Sequence, residues 1–215
     1  KQTSTVNKII LDVKRNGDKS VKKYEKKFSK LKFKSIKIVF SQKEINEISK
    51  KTDKKIRKSI DLAFNRIKKF HSKQKFLSFT LKDKYKNEVS YKYSPIERVG
   101  VYVPGGTASY PSTVLMNCIP AMVAGVKNIY LTTPALASKI NPAIIYAAKK
   151  CGVKEIYKTG GAHSIAALAY GTKTFKKVDK IVGPGNTFVA AAKKEVFGDV
   201  GIDMVAGPSE VSIVA

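Results

Sequence analysis

Four glycine corners in this sequence are placed to bind a ligand through the backbone: Pro104-Gly105-Gly106, Gly160-Gly161, Gly183-Pro184-Gly185 and Gly207-Pro208-Ser209. Bare peptide N–H groups at the start of a helix suit an anion such as a pyrophosphate, and glycine lets that anion come close. The G-x-G-x-x-G spacing of dinucleotide turns is absent, so the corners by themselves fit both a phosphate-bearing ligand and a set of tight turns. Other reactive side chains are sparse. The two histidines, His71 and His163, stand 92 positions apart, which is no basis for a zinc site. Cys118 and Cys151 are 33 positions apart in apolar surroundings, as expected of ordinary buried thiols.

The elements that must carry these corners alternate from Arg98 onward. Short apolar strands are expected at Val99 to Val103, Asn128 to Thr132, Glu155 to Lys158 and Lys180 to Val182, with further apolar segments at Ile202 to Val205 and Val211 to Val214. Helices are expected between them: Val114 to Ala124, one opened by Asn141-Pro142, one from Gly160-Gly161 through Tyr170, and one from Asn186 to about Val196. Proline at the first helical position is favoured because its missing N–H has no partner there anyway. Strand–turn–helix alternation implies a mostly parallel sheet covered by helices on both faces, with ligands beyond the carboxyl ends of the strands. All four glycine corners fall at that edge, and 12 of the 14 glycines follow residue 100.

Residues 1–100 read as mainly helical. Val6, Ile9, Ile10 and Val13 share one face, as do Val21, Tyr24 and Phe28 after the Asn16-Gly17 break, following helical spacing. Ser41 with Glu44 forms a capping box, in which each group bonds the other's backbone. A longer helix puts Ile56, Ile60, Ala63, Phe64, Ile67 and Phe70 in register and closes at His71, read as a structural helix end. Phe76 to Leu81 and Val89 to Tyr93 are expected to pair as a hairpin.

The charge is uneven. Residues 1–100 hold 30 Lys and Arg against 10 Asp and Glu, whereas 101–215 hold 12 against 6. The excess therefore lies on the outer faces of the amphipathic helices, where it reads as solvated surface. A basic nucleic-acid-binding protein is the alternative, but no helix-turn-helix or RNA-binding signature accompanies the lysines. No stretch approaches the roughly 18 uninterrupted apolar residues of a membrane span, so a cytoplasmic protein is expected. The chain starts without Met and ends in an apolar run, which suggests a fragment.

Residues 99–106 (VGVYVPGG), 160–171 (GGAHSIAALAYG), 178–186 (VDKIVGPGN) and 202–210 (IDMVAGPSE) resemble histidinol dehydrogenase in order and spacing. Asn16-Gly17-Asp18 and Lys69-Phe70-His71 resemble its N-terminal region, so the likeness covers nearly the whole chain. It implies an aldehyde dehydrogenase-like α/β fold: a Rossmann-like parallel sheet with helices on both faces, preceded by a mainly helical N-terminal region. Residues 1–100 would belong to an incomplete first domain, lacking part of its sheet and core, and residues 101–215 would form the NAD-binding domain. The implied activity is the two-step, NAD-dependent oxidation of L-histidinol to L-histidine through histidinal, in histidine biosynthesis. The implied assembly is a homodimer, with no nucleic-acid or membrane partner.

The resemblance also assigns residues. The family's NAD contacts fall on Tyr102, His163 and Asn186, and its substrate-contacting serine on Ser209. At each, a bland role competes: a core tyrosine, a capping asparagine, a turn-stabilising serine. His163 departs from the family, which usually has glutamine there. An amide offers a donor and an acceptor side by side, whereas a neutral imidazole offers them on opposite sides of a ring. The family's zinc ligands and its Glu-His catalytic pair would lie beyond Glu210, leaving no catalytic or metal residues here. A non-catalytic remnant is then a further alternative.

Overall fold

The structure is a computed structural model that describes residues 2–29, 37–74, 76–105, 110–135, 140–205 and 212. Four helices come first, α1 (Gln2–Asn16), α2 (Asp18–Ser29), α3 (Gln42–Lys50) and α4 (Lys54–His71), followed by a hairpin of β1 (Phe79–Lys82) and β2 (Glu88–Tyr91). The alternating part is β3 (Arg98–Tyr102), α5 (Pro111–Val123), β4 (Asn128–Thr132), α6 (Pro142–Lys150), β5 (Glu155–Tyr157), α7 (Gly161–Tyr170), β6 (Lys180–Val182), α8 (Thr187–Val196) and β7 (Gly201–Ile202). Strands β3 to β7 form one all-parallel sheet in the order β5-β4-β3-β6-β7. The chain runs outward from β3 through β4 to β5, then crosses back to build β6 and β7 on the other side. The reversal puts a topological switch point between β3 and β6, the crevice where such sheets bind ligands.

Strand alternation sorts the core. Val99, Val101 and Val103 pack with α5 and α6, while Tyr102 belongs to the cluster on the opposite face with α7 and α8. Gly100 shares the face of Tyr102, because a Cβ there would lie 3.0 Å from the Leu168 side chain of α7. The N-terminal helices add an outer layer to each face. Helices α1 and α2 pack on α7 and α8, whereas α3 and α4 pack on α5 and α6. Val6, Ile9, Ile10 and Val13 are buried as their spacing predicts, each contributing roughly 1.5–3 kcal/mol. Each core cluster takes residues from both sides of position 100, and β3 itself spans that position.

The exposed edge of β5 is closed by residues 38–40: Lys158 N–H bonds the Ile38 carbonyl, and Phe40 N–H bonds the Ile156 carbonyl. Pairing of this kind removes a free sheet edge. The Ser41–Glu44 capping box forms, and Cys118 and Cys151 are buried free thiols.

Two expectations are corrected. Phe28, Ile56 and Phe70 are largely exposed, because they lie at helix ends or at the margin of the stripe, past the neighbouring layer. The segment at 202–205 pairs only through Gly201–Ile202. Val211, Ile213 and Val214 lie outside the described residues. The hairpin is present but stands off the core, exposed at every strand position, with Phe79 and Tyr91 stacked at 5.9 Å between ring centroids.

Candidate functional site

At the carboxyl edge of the sheet, Tyr102 ends β3 and reaches across to the start of α7. It is 3% exposed, and its hydroxyl oxygen accepts the Gly161 N–H at 3.2 Å. Burial pushes the phenol upward from its ordinary pKa; the Gly161 hydrogen bond opposes this and the charge of Glu25 adds to it. Tyr102 is therefore a neutral phenol at physiological pH.

Helix α7 has no side chain of its own at its N-cap, Gly160. Glu25 of α2 takes that place. Its carboxylate accepts hydrogen bonds from the Thr159 hydroxyl, the Gly160 N–H at 3.4 Å and His163 Nε2 at 2.8 Å. Negative charge is stabilised at a helix N-terminus, where unpaired N–H groups carry partial positive charge. The corner at Gly160-Gly161, which the sequence offers to a pyrophosphate, thus already holds an anion of the protein itself. Both partners are inaccessible: side-chain exposure is 2% for His163 and 0% for Glu25. Tyr24 and Phe28 of α2 flank the imidazole, their ring centroids 6.0 and 6.1 Å away.

The corner after β6 has its own brace. Gly183 donates its N–H to Asp203 at 2.8 Å and accepts at its carbonyl from Lys193 Nζ at 3.0 Å, and Lys193 also pairs with Asp203. Lys193 is 4% exposed. Gly183 has φ +110°, and a Cβ on it would come within 2.1 Å of the Tyr102 carbonyl oxygen, so close approach of the two chains demands glycine here. Three residues on, Asn186 caps α8 by accepting at Oδ1 from the N–H groups of Phe188 and Val189, both at 3.1 Å. Its amide NH2 has no partner among the described residues.

Tyr102 and His163 therefore meet around Gly161, and Asn186 follows three residues after Gly183, the residue that closely approaches Tyr102. Ser209, with Gly106, Gly207 and Pro208, lies outside the described residues. The glycines have packing reasons as well: at Gly160 a Cβ would meet Pro134 at 2.3 Å, and at Gly185 it would meet Val189 at 2.3 Å.

The profile of the histidinol dehydrogenase family matches residues 1–215. The chain belongs to the histidinol dehydrogenase family. It is 62% identical over 211 residues to the histidinol dehydrogenase of Pelagibacter ubique (strain HTCC1062), covering 98% of this chain and 48% of that protein. The Mesorhizobium japonicum histidinol dehydrogenase is 49% identical over 210 residues, covering 98% of this chain and 49% of its own length. The crystal structure of histidinol dehydrogenase from Elizabethkingia anophelis superimposes with TM-score 0.91 at 41% identity, over 97% of this chain and 48% of that one. The chain thus spans about half the length of the histidinol dehydrogenases it matches.

For this member of the family, polar groups left over at the carboxyl edge of the sheet bear on whether a nicotinamide dinucleotide fits. His163 Nδ1 and the Thr133 hydroxyl, at the end of β4, are buried with no hydrogen-bond partner among the described residues. A buried orphan costs about 1–3 kcal/mol, so polar ligand atoms are welcome there. Among the described residues no three His, Cys, Asp or Glu side chains gather to hold a metal. No described helix is long and apolar enough to cross a membrane.

Proposed function

We propose that this chain supplies the NAD-binding part of a histidinol dehydrogenase that converts L-histidinol to L-histidine through histidinal. The reading is carried by the position of Tyr102 and the Gly183–Asn186 turn on either side of the β3/β6 switch point, in a chain of this family. NAD, when bound, accepts a hydride in each of the two oxidations. The chain's own residues bind and orient. The neutral Tyr102 hydroxyl, free to donate its hydrogen while its oxygen accepts from Gly161, can bond a ribose or phosphate oxygen. The Asn186 amide keeps its NH2 for the ligand while its oxygen caps α8.

Glu25 takes the Gly160 N–H and Asp203 takes the Gly183 N–H, so in the corner after β6 the diphosphate would meet the N–H groups of Gly185 and Asn186. Ser209 would contact substrate. Zinc binding and proton transfer are assigned to the part of the histidinol dehydrogenases that this chain does not span, with residues 1–100 as part of the first domain and 101–215 as the cofactor domain. A cytoplasmic homodimer is the expected setting.

The test is calorimetric titration with NAD+. Saturable one-site binding that Tyr102→Phe and Asn186→Ala both weaken supports the reading. A titration that neither substitution changes overturns it.

A further inference from the structure

The buried pair of Glu25 and His163 is not explained by helix capping alone. Glu25 comes from α2, in the outer helical layer, yet its carboxylate sits at the carboxyl edge of the sheet and takes His163 by Nε2 at 2.8 Å. An ionised carboxylate only accepts, so Nε2 carries the proton of the bond, and a neutral ring then has its lone pair at Nδ1. Nδ1 is the ring's one remaining polar atom, and it is buried without a partner among the described residues. That edge lies beside Gly161: a Cβ built there would be in ordinary van der Waals contact with both Nδ1 and Cε1, at 3.5 Å, so the start of α7 is the ring's neighbour on its unpartnered side. Tyr24 and Phe28 hold the ring from the same helix that supplies the carboxylate.

We propose that Glu25 is a positioning residue of the cofactor site, holding the His163 imidazole through Nε2 so that Nδ1 is presented as a hydrogen-bond acceptor to a bound dinucleotide. The inference rests on the NAD reading above and makes it more specific. The diphosphate is acceptor-only and anionic, so it is excluded from this corner by the lone pair of Nδ1 and by the charge of Glu25. The part of the dinucleotide that meets His163 is a donor: a ribose hydroxyl or the carboxamide NH2. A flexible amide could turn to offer either end, whereas the imidazole gives only what its partner allows; the carboxylate therefore decides the chemistry of the position.

The experiment is long-range 1H–15N NMR of the full chain with labelled histidine, together with NAD+ titrations of the wild type, Glu25→Gln, His163→Gln and the double variant. The expected spectrum has His163 as the Nε2–H tautomer, with an Nδ1 resonance that moves on adding NAD+ while those of His71 stay still. Glu25→Gln, which keeps shape and removes charge, is expected to weaken NAD+ binding on the order of fivefold, and to have no effect when His163 is already Gln. An Nδ1 signal unmoved by NAD+, an imidazolium in the complex, or equal losses in both backgrounds overturns the inference while leaving NAD binding standing. A wild type that does not bind NAD+, with His163 still in the Nε2–H form, overturns the cofactor reading and this inference with it.

Discussion

Glu25 and His163 are 138 positions apart in the chain, yet their side chains share a 2.8 Å hydrogen bond that solvent does not reach. Removing a buried acceptor leaves each of its donors unsatisfied at about 1–3 kcal/mol apiece, so losing one shared by several donors costs roughly 3–5 kcal/mol. Glu25→Leu should cost about that much, because the Thr159 hydroxyl, the Gly160 N–H and His163 Nε2 all lose their acceptor. Urea unfolding of Glu25→Leu, His163→Leu and the double variant checks this. The double variant should be more stable than the sum of the single losses predicts, by about 1 kcal/mol or more; strict additivity would mean that the two side chains do not act together.

Lys193 offers a second buried pair. It ties Asp203 to the carbonyl of Gly183, although Asp203 is 30% exposed at its side chain, which moderates the cost of separating them. Lys193→Met is expected to destabilise the protein by about 2 kcal/mol and to weaken NAD+ binding by loosening the turn before Asn186. Lys193→Arg should recover less than half of either loss, since a planar guanidinium does not fit a site built around one ammonium. Thermal melting and NAD+ titration on the same samples read both effects.

Periodicity made the frame legible, and the same periodicity carried an overlooked signal at these two charges. Val21, Tyr24 and Phe28 mark a stripe whose i+4 position is Glu25, and Val189, Ala192 and Val196 mark one whose i+4 position is Lys193. A charge inside an apolar stripe must find a partner, so both could have been marked as buried and paired. Their partners could not. Glu25 meets residues of α7, and Lys193 meets the segment after β7, through the folding of α2 over one sheet face and the strand order around β3; no local pattern encodes either. Tyr102, His163 and Asn186 were legible as edge residues, but the filling of the α7 corner by a carboxylate from α2 was hidden for the same reason. The exposure of Ile56 and Phe70 shows the opposite failing: a helical stripe tells which face is apolar, not how far along it a neighbour extends.

Asn186 has two jobs that one substitution can separate. Asn186→Asp keeps a side-chain oxygen for the Phe188 and Val189 N–H groups and adds a negative charge favourable at a helix start, so stability should be unchanged or slightly raised. It removes the amide NH2 and places a charge near the proposed diphosphate, so NAD+ affinity should fall at least tenfold, or about 1.4 kcal/mol. Asn186→Ala should lose about 1 kcal/mol of stability as well. If Asn186→Asp binds NAD+ as the wild type does, the residue is a cap and nothing more.

The pH dependence of stability should carry the imprint of Tyr102. Its folded pKa is raised, chiefly by burial, above the ordinary value near 10 that it has in the unfolded chain. A raised pKa means that the folded state holds its proton more tightly. The associated stability is complete below about pH 10 and is lost as pH climbs toward the raised value. Tyr102→Phe removes the ionisable group, so the alkaline fall in the unfolding midpoint should be shallower in that variant, once normalised to neutral pH. Urea denaturation across that range decides it: parallel curves for the two proteins would mean that Tyr102 ionises without cost and that its hydroxyl is far wetter than its position between β3 and α7 implies.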